Sequence, residues 1–397
     1  MSASCVVLAV VDIARQAHRP AREFVPTVSL LVAAAVGSST WIGGVMFALA
    51  APCIAIAMIA VSAPEQRLPF VMKYAAAMVI AIWLAAPLLI DQYVATSARG
   101  IGSPLSLQLY EVLGPAVPDG VRRIFDLPAY WFVFLVVEFP AIYPIGAAAL
   151  ARLMSSRALP ADERRVGAAM AVLGCVSLLT VGLLVSRIGD NNDLGWRAIL
   201  PAVIVLIVFS AVRLSRWIVA RPWVAGGTAI LAILPGLPDG LENLRSYAAA
   251  GAASSAIFSG TGAMWAAVRR YSRPDERVAN NPLFLQDLTP WPVNLSWALL
   301  ANRRSCFAGR ELALAFAPLP PARREQIDAL FIRIFAGDAL SGDIELLAKG
   351  FGCRIAVVTA QDGAWARDPF ATSNEYRMVE MEPGKWRIYR SVDEPGV

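Results

Sequence analysis

Histidine is almost absent from this sequence: the 397-residue chain contains one, His18. Its five cysteines form no CxxC pair and no cluster with histidine. Zinc binding and histidine-based catalysis are therefore not expected, because both depend on such side chains. Walker A, GxSxG and GxGxxG motifs are also missing, which leaves nucleotide binding and serine hydrolysis without support. The sequence predicts no metal ligands.

Charge is scarce as well. Charged residues make up 16% of the chain and hydrophobic residues 57%, with a mean hydropathy of +0.56, whereas soluble domains are about a quarter charged. The net charge of +5 does not indicate a nucleic-acid surface, because the basic excess lies in short loops and no Lys/Arg run is interleaved with aromatics. The expected partners are membrane lipids, and nucleic acid is not expected to bind.

The apolar residues cluster in blocks, and a bilayer-spanning helix needs roughly 20 residues. The apolar segments are 3–13, 25–37, 42–61, 69–90, 128–150, 166–186, 198–218 and 223–236. Residues 3–13 are too few to cross alone and are typical of the end of a helix whose beginning lies outside this chain. The predicted fold is a polytopic α-helical membrane bundle over residues 1–237, with about seven spans plus a partial one.

Loop charges orient these spans relative to the cytoplasm. Loops 14–22, 151–165 and 213–221 are net positive and should face the cytoplasm, whereas 91–127 and 187–197 should face outward. This alternation requires that residues 25–61 make two crossings around "GSSTW" at 38–42. Within the outer amphipathic loop 91–127, "PLSLQLYEVLG" (104–114) predicts an interfacial helix, or a helix that simply covers the bundle.

After the last span the composition changes. An amphipathic connector is predicted at 238–264, followed by a soluble α/β domain at 265–397 on the outer, extracytoplasmic side. Strands are predicted at 311–317 and 353–360, helices at 321–335 and 341–351, and a terminal hairpin at 375–390 that turns at Pro383-Gly384. Cys306 and Cys353 share this domain, but their spacing does not show whether they pair.

The stretch "NNDLGWR" opens a long apolar run at the predicted outer surface. Asp193 and the amides of Asn191 and Asn192 can cap the helix that starts here. Arg197 carries the side chain best suited to bidentate phosphate binding. The functional interpretation is a site for a phosphate, a metal or a lipid-linked substrate. The alternative is a capped helix whose arginine reaches the membrane interface.

Glu138 lies in the middle of a predicted span. An ionisable group there costs at least a few kcal/mol unless it is paired or faces a cavity, so it is a functional candidate. The alternative is an inward hydrogen bond that locks helix packing, or a protonated carboxyl. Pro140 and Pro144 should bend this helix. In the soluble domain, "LLANRRSCFAGREL" (299–312) could bind an anion or be a solvated loop.

Several of these stretches occur in one order: "GSSTWIGGVMFAL", "AAPLLIDQYVATSARGIG", "NNDLGWRAILPA", "LPDGLENLRSYA", "MWAAVRRYSRPDERVANNP", "LANRRSCFAGREL" and "WRIYR". This order resembles the later portion of uncharacterised bacterial membrane proteins similar to the GT-C glycosyltransferases. Those proteins combine a helical bundle with a C-terminal extracytoplasmic α/β domain. The resemblance implies sugar transfer from a polyprenyl-phosphate donor on the outer membrane face.

Such a reaction needs a carboxylate to activate the acceptor and often a divalent metal to steady the phosphate. In GT-C enzymes that acid follows the first transmembrane helix, and nothing here matches the position. The catalytic loop is either lost, which would leave the chain inactive, or encoded upstream in a longer gene. Asp193 and Glu138 are the remaining catalytic candidates. Two alternatives stay open: a non-catalytic scaffold or lipid-binding protein of envelope polysaccharide assembly, and a transporter in which Glu138 couples transport.

Overall fold

The computed structural model is mostly helical and divides into two compact units. The first comprises Met1–Val94 and Ser103–Asp239, and the second comprises Ala95–Gly102 and Gly240–Val397. The structure describes every residue except 16–19, 101, 115–116, 157–159, 189–192, 285–299, 311, 314–316 and 393–397.

The helices of the first unit follow the apolar segments of the sequence. In chain order they are α1 (Ser2–Arg15), α2 (Ala21–Ser38), α3 (Phe47–Val61), α4 (Pro64–Arg99), α5 (Asp119–Ala129), α6 (Leu135–Glu138), α7 (Ile142–Ser155), α8 (Ala161–Leu183), α9 (Asp193–Ala198), α10 (Leu200–Ala220) and α11 (Pro222–Ile233). Wide π-helical turns at Thr40–Met46 and Tyr130–Phe134 precede α3 and α6, and a 3₁₀ turn at Leu234–Gly236 follows α11.

Several helices are long and apolar enough to cross a membrane. Within the described residues five meet this requirement, or up to seven if each of two bent helix pairs is one span. The five are Ala21–Ser38, Thr40–Val61, Pro64–Arg99, Ala161–Leu183 and Asp193–Ala220, and the bent pairs begin at Ile124 and Pro222. Helix α1, with 14 residues, is too short to span alone. Each predicted apolar segment is thus helical over most of its length.

The chain reverses direction between α2 and α3. Ser39 is extended (φ −165°, ψ 115°), and its hydroxyl accepts a hydrogen bond from the Ile42 amide at 3.3 Å. A Cβ placed on Gly43 would lie 2.1 Å from the carbonyl carbon of Ala35. In a straight helix these two positions would be roughly 12 Å apart along the axis. Residues 25–61 therefore form two helices folded back on each other, as the predicted pair of crossings requires.

The predicted segment 128–150 is broken. Its halves, Ile124–Glu138 and Ile142–Ser155, meet at 115°. The break lies at Phe139 (φ −128°, ψ 62°), directly before Pro140, because proline disfavours a helical conformation in the residue that precedes it. The expected bend is therefore confirmed at this proline.

The predicted helix at 104–114 is wrong. Residues Leu105–Leu107 form strand β1, which pairs antiparallel with β2 (Leu184–Ser186). The Gln108 amide then donates to the Leu183 carbonyl at 3.0 Å. Carbonyls at the end of a helix have no partner within that helix, so this segment's backbone completes the end of α8 instead of forming its own helix. The amphipathic helix of the outer loop is α5.

The second unit is built on a mixed five-stranded sheet. The strands are β3 (Arg277–Asn280), β4 (Arg304–Ser305), β5 (Cys353–Thr359), β6 (Tyr376–Glu382) and β7 (Trp386–Ser391), in the order β4-β3-β5-β7-β6. Strand β3 is parallel to β4 and β5, whereas β7 is antiparallel to β5 and β6. The helical elements are α12 (Leu237–Tyr271), α13 (Pro321–Phe335), a short helix Asp343–Glu345 with the π-helical turn Leu346–Gly350, and a 3₁₀ turn Gly363–Trp365.

Helices cover both faces of this sheet. Alternate side chains of β5 point to opposite sides, so that Val357 joins the core containing Trp265 of α12, whereas Ala356 and Val358 join the core containing Phe331 of α13. This three-layer arrangement is an α/β fold. Helix α12 has 35 residues and runs through the predicted connector and past the boundary at 265.

Most local predictions in this unit are confirmed. They include the strand at 353–360, the helix at 321–335 and the terminal hairpin, whose turn places Gly384 at φ 74°. The strand predicted at 311–317 is wrong where the structure describes it, because the Ala313 amide bonds to the Gly309 carbonyl at 3.1 Å, as in a helical turn. Cys306 and Cys353 form a disulfide, with their Cα atoms 5.9 Å apart.

Candidate functional site

The described part of the "NNDLGWR" cluster, Asp193–Arg197, lies at the start of a long apolar helix. Asp193 begins α9, and the Arg197 guanidinium lies 3.1 Å from its carboxylate, with 50% of the arginine and 43% of the aspartate side chain exposed. Helix α9 packs against the end of α8 and the turn Thr40–Met46. Asn191 and Asn192 lie outside the described residues, so their capping role stays a prediction.

The residues around Asp193 divide into an inner and an outer face. Leu194 and Ala198 are fully buried against the bundle, whereas Trp196 is 78% exposed. An exposed tryptophan beside an arginine at the end of an apolar helix is typical of the membrane–water interface. Among the described residues Arg197 has one ion pair, with Asp193, and half of its side chain is exposed, which leaves its guanidinium accessible to an anion.

Glu138 forms no hydrogen bond or ion pair with Asp193 or Arg197 in the described part of the chain. It is the last residue of α6, at the break before Pro140, and its side chain is exposed. Among the described residues, no basic nitrogen approaches its carboxylate within 4.0 Å. The structure therefore shows no contact between the two catalytic candidates, and each role stays a prediction.

Of the three arginines in 299–312, Arg303 has structural partners. The Arg303 guanidinium donates to the carbonyls of Arg269 and Ser272 at 3.1 and 2.7 Å, and to the Ser272 hydroxyl at 2.8 Å. These carbonyls belong to the end of α12, where cations favour the negative end of the helix dipole. Arg303 is thus a helix cap, and its donors are occupied.

A metal site has no visible basis in the described ranges. No group of three or more His, Cys, Asp or Glu side chains there is placed to hold an ion. The Asp193 carboxylate is bound to Arg197. The residues described do not fit the divalent metal that the GT-C resemblance implies, and we derive no step from one.

The structure also reveals a buried polar cluster that the sequence did not indicate. It lies at the carboxyl ends of the parallel strands β3 and β5 and consists of Asn280, Asn281, Thr359 and Asp362; we call it the strand-end cluster. The Asn281 amide nitrogen donates to Asp362 Oδ1 at 2.7 Å, and the Thr359 amide and hydroxyl donate to Oδ2 at 2.7 and 3.0 Å.

One acceptor of the strand-end cluster has no partner within the described residues. Asn280 is 6% exposed, and its Oδ1 is buried without a hydrogen bond. Strand order reverses around β3, since β4 lies on one side and β5 on the other. In open α/β sheets, ligands bind at the carboxyl ends of strands where the order reverses. The cluster thus occupies the usual ligand position of such a fold.

Burial determines the ionisation of this cluster. Desolvation raises the pKa of Asp362, and the hydrogen bonds from Thr359 and Asn281 oppose the shift without cancelling it. The chain gave one weak signal for this site, the polar run Asn280-Asn281-Pro282. It was missed because β3 has four residues, too few for a periodicity to be seen.

Comparison with known proteins agrees with this fold. Residues 254–390 match the family model described as the Y4nK C-terminal Rossmann-like domain. The chain is also similar to the uncharacterized protein y4nK of Sinorhizobium fredii (strain NBRC 101917 / NGR234), with 30% identity over 375 residues. That similarity covers 91% of this chain and 54% of the relative. The chain therefore spans about half the length of the curated relative it matches.

Proposed function

We propose that this chain is an integral protein of the bacterial inner membrane that binds a polyprenyl-phosphate-linked sugar at the outer face and takes part in its transfer, as GT-C glycosyltransferases do. Its α/β domain lies outside the cytoplasm. The half-exposed Arg197 guanidinium at the start of an apolar helix is the observation that carries this proposal, because it offers a phosphate a cation beside lipid.

The apolar surface of α4 supports placement in a membrane. Leu68, Met72, Val79 and Trp83 share one face of this helix, and between 65% and 73% of each residue is exposed. Soluble monomers rarely expose contiguous apolar patches of this kind. In a bilayer the same face is solvated by acyl chains.

Tryptophans mark two levels along the Asp193–Ala220 helix. Trp196 lies near its start and Trp217 near its end, and 21 residues of helix rise by roughly 31 Å. The hydrocarbon core of a bilayer is about 30 Å thick, and tryptophan is enriched at both of its boundaries. This spacing supports a single crossing with Arg197 at one interface.

The ends of the bundle support the proposed orientation. Beside the β1–β2 pairing, the Arg187 amide donates to the Pro104 carbonyl at 2.9 Å, which joins the loops 91–127 and 187–197 that are predicted to face outward. Arg152 of α7 and Arg213 of α10, from two loops predicted to be cytoplasmic, line one cavity. The Cys306–Cys353 disulfide adds independent support, because disulfides persist outside the cytosol and are rare within it.

Phosphate binding would require Arg197 to exchange its partner. An exposed i,i+4 ion pair such as Asp193–Arg197 contributes about 0.3–0.5 kcal/mol. Losing this exposed pair therefore costs little, and phosphate can accept two hydrogen bonds from one guanidinium in exchange.

The ion pair that occupies the Asp193 carboxylate favours a second candidate function, a lipid-binding scaffold without catalysis. A carboxylate bonded to an arginine is a poor base until the arginine leaves it. Phosphate binding by Arg197 would release this carboxylate in the enzyme, whereas a scaffold needs only the arginine. The two functions therefore share a binding step and differ in the need for a carboxylate.

Binding is tested with the full chain in nanodiscs and two probes of equal length, a polyprenyl phosphate and the corresponding polyprenol. We expect Arg197→Gln to weaken binding of the phosphate about tenfold, the equivalent of 1.4 kcal/mol, and to leave polyprenol binding unchanged. Arg187→Gln removes the same charge from the same end of the bundle and should have little effect. Equal binding of the two probes by the unaltered chain would refute the proposal.

Catalysis is tested with Asp193→Asn and Glu138→Gln. Transfer from a polyprenyl-phosphate sugar is measured in membranes containing the protein. An enzyme that uses either carboxylate loses transfer in that variant while still binding polyprenyl phosphate. Transfer that is unaffected in both variants removes both residues as catalytic candidates, whereas polyprenyl-phosphate binding without transfer above that of membranes lacking the protein assigns the scaffold function.

A further inference from the structure

A second cationic site lies at the opposite end of the first unit from Arg197. A cavity of about 190 Å³ opens between the last turn of α7, the first turn of α8 and the last turns of α10. Its polar lining consists of Arg152, Ser156, Glu163, Arg213 and Arg216, and we call it the arginine cavity. It is far larger than the roughly 10–15 Å³ that one water requires.

The described residues do not balance the charges of the arginine cavity. Among the residues described, no carboxylate oxygen lies within 4.0 Å of the guanidinium groups of Arg152, Arg213 or Arg216. Glu163 lines the same cavity without forming an ion pair with them. Arginine stays charged under all ordinary conditions, so three cations and one anion leave a local excess of two positive charges. That excess suits a phosphate group.

One arginine is held in position. The Arg213 guanidinium lies 5.1 Å from the ring centroid of Trp217, one turn further along α10. Such a contact restricts the side chain and does not consume its N–H donors, which lie in the plane of the guanidinium group. Ser156 adds a hydroxyl at the end of α7. The donors therefore come from two helices, which gives a phosphate ligand more than one direction of contact.

The remaining lining is apolar and continues onto the surface. Leu153, Phe209 and Val212 form the inner wall, and Val208 and Val212 are about half exposed on α10. A soluble phosphate makes no use of such a wall, whereas the acyl chains of a lipid can lie along it. The combination of a cationic pocket and an apolar track resembles the known sites for anionic lipid headgroups between membrane helices.

We infer that the arginine cavity binds a phosphate group, supplied by the headgroup of an anionic glycerophospholipid in the cytoplasmic leaflet. The lipid source rests on the membrane placement proposed above, whereas phosphate binding by the three arginines does not. This site is separate from the outer site at Arg197 and takes a different lipid. Its occupation would tie the ends of α7, α8 and α10 together.

The test uses the full chain in detergent with three probes: phosphatidylglycerol, phosphatidylcholine and inorganic phosphate. Binding is followed by native mass spectrometry and by the shift in unfolding temperature. The double substitution Arg213→Gln/Arg216→Gln is compared with Arg221→Gln, which removes a charge from the same end of the helix but outside the cavity. Arg197→Gln serves as a second control, because loss of the guanidinium at the proposed outer site should not alter binding in the arginine cavity.

We expect phosphatidylglycerol to bind more tightly than phosphatidylcholine, and the double variant to weaken it about tenfold. Arg221→Gln and Arg197→Gln should bind as the unaltered chain does. Arg213→Lys/Arg216→Lys should retain part of the affinity, which separates lost charge from misfolding.

Tight binding of inorganic phosphate with no preference among the lipids would support the phosphate site and overturn its lipid source. Equal binding of phosphatidylglycerol by the unaltered and double-variant chains, with inorganic phosphate unbound, overturns the inference entirely. Neither result depends on whether polyprenyl phosphate binds at Arg197, so the two proposals fail separately.

Discussion

The Cys306–Cys353 disulfide gives the most direct test of the α/β unit and of its compartment. It joins residues 47 positions apart, and closing a loop of that length lowers the entropy of the unfolded chain by an amount equivalent to about 4 kcal/mol at 25 °C. Cys306 directly follows the two-residue strand β4, and its amide donates to the Val278 carbonyl at 2.8 Å. The disulfide therefore secures β4, a strand that has little other backbone pairing.

The perturbation is Cys306→Ala/Cys353→Ala in a chain whose other cysteines, Cys5, Cys53 and Cys175, are already replaced by alanine. Stability is measured on detergent-purified chain by pulse proteolysis across a urea series. We expect the unit to lose about 3–4 kcal/mol. Hydrogen exchange should accelerate first in the peptide that contains β4, because the ladder there is shortest.

The compartment of the α/β unit is determined in intact membranes with the parent chain, which retains Cys306 and Cys353. Thiols are labelled in denaturant before and after reduction, and reduction should expose two additional thiols. A loss of stability below about 1 kcal/mol would refute the loop-entropy reasoning. Two thiols that are already free before reduction would contradict the extracytoplasmic placement of this unit.

Two further substitutions test packing and electrostatics. Gly146→Ala should destabilise the first unit by about 1–3 kcal/mol, because the added Cβ would lie 2.6 Å from the Leu206 carbonyl oxygen; Gly174→Ala, with nothing within 4 Å, should be neutral or stabilising in the same thermal unfolding assay. Asp343→Asn should cost about 1 kcal/mol at pH 7 through loss of its two-point contact with Arg333. Burial raises the pKa of Asp343, but the hydrogen bonds and charge of Arg333 outweigh it and lower the net value. Its stabilisation is therefore present above the unfolded-state pKa of about 3.9 and is lost as the pH falls through the lower folded-state value, so urea titrations at pH 7 and pH 3 should show the difference between variants closing. An equal difference at both pH values would contradict this assignment.

The sequence could predict the elements whose signal is local. Apolar blocks placed the long helices, and "GSSTW" placed the reversal now seen at Ser39 and Gly43. The terminal hairpin followed from alternation around Pro383-Gly384. In each case the determining residues lie within one element or one turn, so neighbouring residues are enough to specify the backbone.

The sequence could not predict pairings between distant residues. Strand β1 exists because Leu105–Leu107 meets Leu184–Ser186, and neither stretch is long enough to have a periodicity of its own. The strand predicted at 311–317 was wrong for the opposite reason. Its alternation rests largely on alanine and leucine, which are also strong helix formers, so seven residues could not decide between the two structures.

The candidate site shows the same division. The polar cluster at the start of α9 could be recognised in the sequence because Asp193 and Arg197 are four residues apart and meet on one helical turn. The strand-end cluster joins residues 81 positions apart through the Asn281–Asp362 hydrogen bond. Only the order of strands in the sheet brings those residues together, and hydropathy carries no information about that order.

Hydropathy also finds membrane-type helices without showing which of their faces turn inward. The hydroxyl groups of buried serines identify the inward faces. Four buried serines, each less than 7% exposed, donate to carbonyls of other helices or of a distant part of the bundle. They are Ser2 to Ala35, Ser29 to Ala77, Ser177 to Ala198 and Ser210 to Ile142. Since lipid tails give no hydrophobic advantage to helix association, close approach at small residues and hydrogen bonds between helices must hold such a bundle together. The serines therefore mark the inward faces of the bundle, whereas the exposed apolar side chains of α4 mark an outward face, as the proposed membrane placement requires.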